Sequence, residues 1–230
     1  MKTVAIIPAG GTGKRMGSPL PKQYLLLAGI PILVHTLRAF QHSPLIDEIL
    51  LAVPEGDLAD VRLDVVQRYD LSRVSLVLAG GRKRQDSVRN ALAHVRDDHD
   101  IILVHDGVRP FVTGNLIERA VAGAKKYGAV STGVPVRDTV KEVDMKGCVT
   151  RTVPREGLYL TQTPQAFRRD VIFAAYERAA ADGFYGTDDA SMAERMGFPV
   201  RMIPGDADNI KVTTPEDLAR AERIVCGRKK

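Results

Sequence analysis

Five short apolar runs, Val4–Pro8, Ile49–Val53, Ser75–Ala79, Ile101–His105 and Ala129–Pro135, have the length and composition of buried strands. Between them, apolar residues recur at helical spacing: Leu33, Leu37 and Phe40, then Leu58, Val61 and Val65, then Val88, Leu92 and Val95, then Leu116, Ala120 and Ala124. Strand and helix in turn predict an α/β chain with a mostly parallel sheet and crossover helices. The stripes read as core faces and carry no chemistry of their own.

After Pro135 the pattern changes. Thr139–Val143 and Val149–Val153 are β-prone and flank Asp144-Met-Lys-Gly147, which predicts an inserted hairpin, an arm over about 137–154. Such an arm has little core of its own, so it is expected to pack on a second subunit or to lie as a surface flap. A strand over Leu158–Thr163, helices near Val171–Ala180 and Asp188–Met196, and a strand over Val200–Ile203 follow. Thr214 reads as the N-cap of a last helix, with Pro215 at its first position and Glu216 and Asp217 at its positive end. No repeat, low-complexity tract or linker interrupts the chain, so residues 1–230 are expected to form one domain.

Composition narrows the function. The chain carries a net charge of +5, has 5% aromatic residues and lacks tryptophan, which favours anionic small substrates over nucleic acid. No run of roughly 18 apolar residues suggests a membrane span. The N-terminus enters a strand without a charged-then-apolar leader, and Cys148 and Cys226 have no metal-ligand spacing, so a cytoplasmic protein with reduced thiols is expected. The five histidines form no motif, and His105 reads as structural.

Ligands in open α/β sheets sit beyond the carboxyl ends of the strands. There the first strand empties into Gly10-Gly-Thr-Gly-Lys-Arg-Met-Gly17, a glycine-rich turn carrying Lys14 and Arg15, with Lys22 close behind. Bare backbone N–H groups at Gly10 and Gly11 can approach phosphate oxygens, and the added cations suit a polyphosphate that reacts. The dinucleotide fingerprint fails because its third glycine falls on Met16, and the P-loop fails because Pro8 and Arg15 occupy its required positions. The third strand ends in Ala79-Gly-Gly-Arg-Lys-Arg-Gln-Asp-Ser87, the fourth in His105-Asp-Gly-Val-Arg-Pro110, and the fifth leads to Val136-Arg-Asp-Thr139. Asp106, at a strand end among cations, suits Mg²⁺ on a nucleoside triphosphate, or else an ion pair with Arg109 or a helix cap. Ser87 reads either as a ligand contact or as a helix cap. Arg155, Thr163, Thr187 and Lys211 would suit a second phosphate.

These segments resemble a known family. Pro8–Gly17, Pro21-Lys-Gln-Tyr24, Ala79-Gly-Gly81 with Asp86-Ser87, Val104–Pro110, Pro135–Thr139, Thr163-Pro-Gln165, Thr187-Asp-Asp-Ala-Ser191 and Asp208–Thr213 are similar, in order and nearly along the whole chain, to the 2-C-methyl-D-erythritol 4-phosphate cytidylyltransferases. The resemblance implies a Rossmann-like nucleotidyltransferase sheet flanked by helices, CTP as co-substrate, Mg²⁺ or another divalent cation, and a homodimer joined through the arm. It implies Arg15 and Lys22 as transition-state stabilisers on the triphosphate, with Arg155 and Lys211 positioning the nucleophile. Ala9, Gly10, Gly81 and Ser87 would recognise cytosine, and Asp106 would lie near ribose and metal. Arg109, Thr139, Thr163 and Thr187 would contact methylerythritol phosphate, Thr139 and Arg155 reaching the partner's site through the arm. Gly107-Val108 stands where two alanines are usual, Tyr159 where tryptophan is frequent, and Arg82 where an acidic residue can assist base recognition.

Ribitol 5-phosphate cytidylyltransferases are similar in the loop and in Thr161-Gln-Thr-Pro-Gln165; Val136-Arg-Asp-Thr139 and Thr187-Asp-Asp-Ala-Ser191 favour methylerythritol phosphate. Outside that chemistry, a non-catalytic nucleotide-binding regulator and a dinucleotide-dependent oxidoreductase remain to be set against it. The first would bind CTP without turnover, and the second would need the missing third glycine.

Overall fold

Strand β1 (Lys2–Pro8) sends Ala5 and Ile7 into one core and Val4 and Ile6 into another, all fully buried. Apolar side chains on both faces are what a central parallel strand requires. The structure, a computed structural model, describes residues 1–11, 16–17 and 20–228. A short 3-10 turn at Lys22–Tyr24 leads into a tiny ribbon, β2 (Leu26–Leu27) and β3 (Ile30–Pro31). Its two turn residues, Ala28 and Gly29, have φ of 52° and 80°, the positive values a tight hairpin turn demands.

Then come α1 (Ile32–Gln41), β4 (Glu48–Val53) and α2 (Leu58–Asp60), which runs on as a π-helical segment over Val61–Gln67. They are followed by β5 (Val74–Ala79), α3 (Arg84–Leu92), β6 (His99–Val104), α4 (Gly114–Tyr127) and β7 (Ala129–Pro135). The arm is β8 (Val140–Val143) and β9 (Val149–Val153). The chain closes with β10 (Tyr159–Arg168), α5 (Arg169–Ala181), α6 (Ala190–Arg195), β11 (Arg201–Pro204) and α7 (Pro215–Arg228).

The main sheet has the order β11-β7-β10-β6-β1-β4-β5. Its pairings are parallel except those of β10, which runs antiparallel to both β6 and β7. This is the mostly parallel, helix-flanked α/β sheet expected from the alternating pattern. Helices α1 and α4 and the π-helical segment pack on one face, and α3, α5 and α6 on the other. Each fully buried Leu, Ile, Val or Phe contributes roughly 1.5–3 kcal/mol. Helix α7 joins a third cluster with Leu27, Ile32, Val108 and Val212, behind the loop that carries Lys211.

Two differences from expectation bear on the site. Strand β10 does not stop at Thr163: it passes a cis Thr163–Pro164 bond, shifts register between Gln162 and Gln165, and runs on to Arg168. Helix α3 begins three residues before Ser87, so Ser87 is inside the helix and is not its N-cap. The expected cap of α7 is present: Thr214 Oγ1 accepts from Asp217 N at 3.3 Å, and Asp217 Oδ2 accepts from Thr214 N at 3.0 Å.

Candidate active site

Because β1, β4, β5 and β6 run parallel, their carboxyl ends open on one side and their exit loops are stitched together. Ala9 N donates to Ala52 O at 2.7 Å, Gly80 N to Val53 O at 2.7 Å, and Gly107 N to Pro8 O at 3.1 Å. The result is a cavity of about 310 Å³ lined by Ala9, Gly10, Gly11, Lys22, Gly81, Ser87, Asp106 and Lys211, together with Arg82, Lys83 and Arg84. A cavity of this size suits a small ligand. Lys14 and Arg15, expected on the same loop, lie outside the described residues.

The glycines are explained by close approach. A Cβ on Gly81 would stand 2.2 Å from Asp86 Cβ, and one on Gly80 would stand 2.8 Å from Ser87 Oγ. Ser87 Oγ accepts from Gly81 N at 3.0 Å and donates to Lys83 O at 3.3 Å, holding the turn shut from within the helix. A Cβ on Gly11 would come within 3.4 Å of Lys22 Cε, so the lysine stem passes along the glycine backbone. Tyr24 OH donates to Asp57 Oδ2 at 2.7 Å, anchoring the turn that presents Lys22. Burial, then Asp57, pushes that phenol's pKa up.

Beside this cavity lies a second, of about 260 Å³, lined by Arg109, Thr161, Gln162, Thr163, Gln165, Thr187 and Asp188. The two share Arg84, Asp106 and Lys211. Asp106 is therefore the junction. Its Oδ1 takes Arg84 Nε at 2.8 Å, and its Oδ2 takes Lys211 Nζ at 3.0 Å and Arg109 Nε at 3.4 Å. Burial alone would raise its pKa, but Arg84 above all, then Lys211 and Arg109, hold it well below the usual carboxylate range. Asp106 thus lines both cavities and also forms the ion pair with Arg109 that was the alternative reading of its position. Among the described residues, no three His, Cys, Asp or Glu side chains come together as a metal cage.

A buried hydrogen-bond chain fixes this junction. Asp106 N donates to Thr163 Oγ1 at 3.1 Å, Thr163 Oγ1 meets His105 Nδ1 at 3.1 Å, and His105 Nε2 meets Arg109 O at 3.2 Å. A carbonyl only accepts, so Nε2 carries the proton and Nδ1 accepts the Thr163 hydroxyl. Burial pushes the His105 pKa down to about 3, so the ring is neutral and structural, as its sequence context suggested. Arg109 Nη1 donates to Asn209 O at 2.8 Å and Asn209 Nδ2 to Thr163 O at 2.7 Å, which pins the loop before Lys211.

Sequence reasoning missed Arg84. Its guanidinium bridges Asp106 and Asp189, the latter at 2.8 Å, and Asp189 in turn accepts from Tyr176 OH at 2.6 Å. Only the Thr187-Asp-Asp189 carboxylate pair hinted at a need for a cation there. Thr139 and Arg155 line neither cavity of this chain: both are exposed at the arm's base, where Arg155 Nη1 donates to Arg137 O.

Comparison with known proteins gives the family and the fold. The family model described as 2-C-methyl-D-erythritol 4-phosphate cytidylyltransferase (IspD) matches residues 3–227. The chain is 52% identical over 224 residues to the enzyme of that name from Syntrophus aciditrophicus, covering 97% of this chain and 96% of the relative. It is 48% identical to that from Geotalea uraniireducens, covering 98% and 97%. The crystal structure of 4-diphosphocytidyl-2C-methyl-D-erythritol synthase from Anaerococcus prevotii superposes with a TM-score of 0.86 at 34% identity, covering 98% of this chain and 96% of that one. Matched by the family model along nearly its whole length and about half identical to relatives of that name, this chain belongs to the 2-C-methyl-D-erythritol 4-phosphate cytidylyltransferase family.

Proposed function

We propose that this protein joins CTP to 2-C-methyl-D-erythritol 4-phosphate, giving 4-diphosphocytidyl-2-C-methyl-D-erythritol and pyrophosphate. The observation that carries the reading is the pair of adjoining cavities that share Asp106, Arg84 and Lys211. Two anions could meet there. CTP takes the first cavity, its base against Ala9, Gly10, Gly81 and Ser87, and its phosphates along the glycine loop with Arg15 and Lys22. The phosphosugar takes the second, against Arg109, Thr163 and Thr187. The Thr163 hydroxyl spends its proton on His105 and one lone pair on Asp106 N, so its remaining lone pair suits a polyol hydroxyl.

A 4-phosphate oxygen attacks the α-phosphorus in line as the bond from that phosphorus to the β-bridging oxygen breaks. The nucleophile is already ionised near neutral pH, so no general base is required. Neutral His105, with both ring nitrogens engaged, does not supply one. The protein's work is positioning and charge stabilisation. Lys22 opposes the charge growing on the leaving pyrophosphate, and Lys211 draws the incoming phosphate to the junction.

A divalent cation fits the oxygen chemistry of the junction. Asp106 would hold it, with phosphate oxygens and water as the remaining ligands, the usual arrangement for Mg²⁺. When bound, it would neutralise triphosphate charge. Thr139 and Arg155 complete the second cavity of a partner subunit, in a homodimer formed through the arm. The arm's exposed apolar residues support this, since Val143, Met145 and Val149 are 54%, 104% and 60% exposed in their own chain. A cytoplasmic location fits the two free cysteines. Among the described residues, no helix is long and apolar enough to cross a membrane.

Stereochemistry tests the mechanism. With CTP made chiral by sulfur at the α-phosphorus, a single in-line displacement inverts configuration, and retention would require a covalent nucleotidyl intermediate that this reading excludes.

A further inference from the structure

Four consecutive residues at the start of α3 each grip one segment a hundred residues downstream. Lys83 Nζ lies 3.4 Å from the centre of the Tyr185 ring, and Arg84 Nη2 lies 2.8 Å from Asp189 Oδ2. Gln85 Nε2 donates to Phe184 O at 3.0 Å, and Gln85 Oε1 accepts from Gly186 N at 2.9 Å. Tyr185 OH donates to Asp86 Oδ1 at 3.2 Å.

The gripped segment, residues 182–189, has no regular secondary structure; backbone bonds to the end of α5 hold the amides of residues 182–184, and side-chain hydrogen bonds hold Phe184 O and Gly186 N beyond them. Thr187, on the wall of the second cavity, sits between two anchors. On one side Gln85 holds residues 184 and 186. On the other, Gln165 Oε1 accepts from Asp189 N at 2.9 Å and Ala190 N at 3.1 Å, while its Nε2 donates to Asp188 Oδ2 at 2.7 Å. Gly186 is closely packed, since a Cβ there would stand 2.3 Å from Ser191 Oγ. Gln165 reaches the second cavity, but Gln85 lines neither cavity. Both hydrogen bonds of its amide go to the downstream segment.

We propose that Gln85 is a positioning residue for the reaction: it sets Thr187 against the second cavity and ties that placement to the helix start bordering the nucleotide cavity. The inference rests on the second cavity being the methylerythritol phosphate subsite. Gln85→Met keeps the side chain's length and removes both hydrogen bonds. Losing two such bonds is expected to raise KM for methylerythritol phosphate about tenfold, with KM for CTP within about twofold.

A double-mutant cycle separates this role from a merely structural one. If Gln85 acts through Thr187, then Gln85→Met added to Thr187→Val raises KM no further than Thr187→Val alone. Effects that multiply, an equal rise in KM for CTP, or an unchanged phosphosugar KM would overturn the proposal. Should Gln85→Met fold poorly, Gln85→Asn, whose amide is one methylene short of both backbone groups, carries the same expectation. Wild-type protein that turned over no methylerythritol phosphate would overturn the substrate assignment alone. Amide exchange at Gly186 would then decide the clasp: faster exchange in Gln85→Met supports it, and unchanged exchange contradicts it.

Discussion

Lys211 Nζ lies 3.0 Å from Asp106 Oδ2, on the border shared by the two cavities. Of the three cations around that carboxylate, Lys211 has the most exposed side chain, 38% against 27% for Arg84 and 10% for Arg109. Arg84 and Arg109 can keep Asp106 compensated while Lys211 turns to an arriving phosphate. A flexible, compact ammonium suits that exchange better than a guanidinium fork locked into two carboxylates.

Under the proposed mechanism, Lys22, which lines the first cavity, acts on charge that grows only in the transition state. Lys22→Ala should lower kcat about a hundredfold, on the order of 3 kcal/mol, with little change in either KM. Steady-state kinetics with each substrate varied would check this, and an unchanged kcat would remove Lys22 from the chemistry.

The arm should serve a neighbouring site. Arg155→Ala is expected to raise KM for methylerythritol phosphate about tenfold and leave CTP affinity within about twofold, as loss of one charged contact implies. Replacing residues 140–153 with a short glycine turn should yield a monomer by light scattering that still binds CTP.

Gly81 has no room for a methyl group. Gly81→Ala places carbon against carbon at 2.2 Å, so the turn must open. The expected outcome is a loss of roughly 1–3 kcal/mol in thermal unfolding, as for overpacking generally, with KM for CTP raised more than KM for the phosphosugar.

These residues also mark how far the sequence alone could be read. The strands and the helix stripes were legible because apolar periodicity follows directly from two-sided burial, as Val4, Ala5, Ile6 and Ile7 illustrate. Strand β10 was cut short because proline usually ends a strand interior, whereas here a register shift accommodates Pro164. The glycine and carboxylate positions of the nucleotide cavity were visible from strand ends. Arg84 and Gln85 were not, because nothing in the run Ala79–Ser87, which its strand end places at the crevice, singles them out from its other basic and polar residues. Their partners, Asp189 and Gly186, are a hundred residues away, and only the fold brings them together.

The capping box of α7 gives a pH dependence. Burial raises the Asp217 pKa, but hydrogen bonds from Thr213 and Thr214 outweigh it, so the folded pKa lies below the ordinary value. Stability from this carboxylate is therefore present above the unfolded pKa of about 3.9 and is lost as pH falls through the folded one. Asp217→Asn should lower stability by about 1 kcal/mol near neutral pH, a typical cap contribution, and the gap to wild type should narrow on acidification below about pH 4. Melting curves of the two proteins from neutral to acid pH would show it.

The most direct test of the two-cavity account is a side-by-side assay of pyrophosphate release with CTP and either 2-C-methyl-D-erythritol 4-phosphate or ribitol 5-phosphate. The expected result is rapid release with the methylerythritol compound, at least about a hundredfold above ribitol 5-phosphate in kcat/KM, the scale that mismatched polar contacts command. Equal or reversed preference would contradict the assignment of the second cavity, and CTP binding without release from either acceptor would contradict catalysis at the junction altogether.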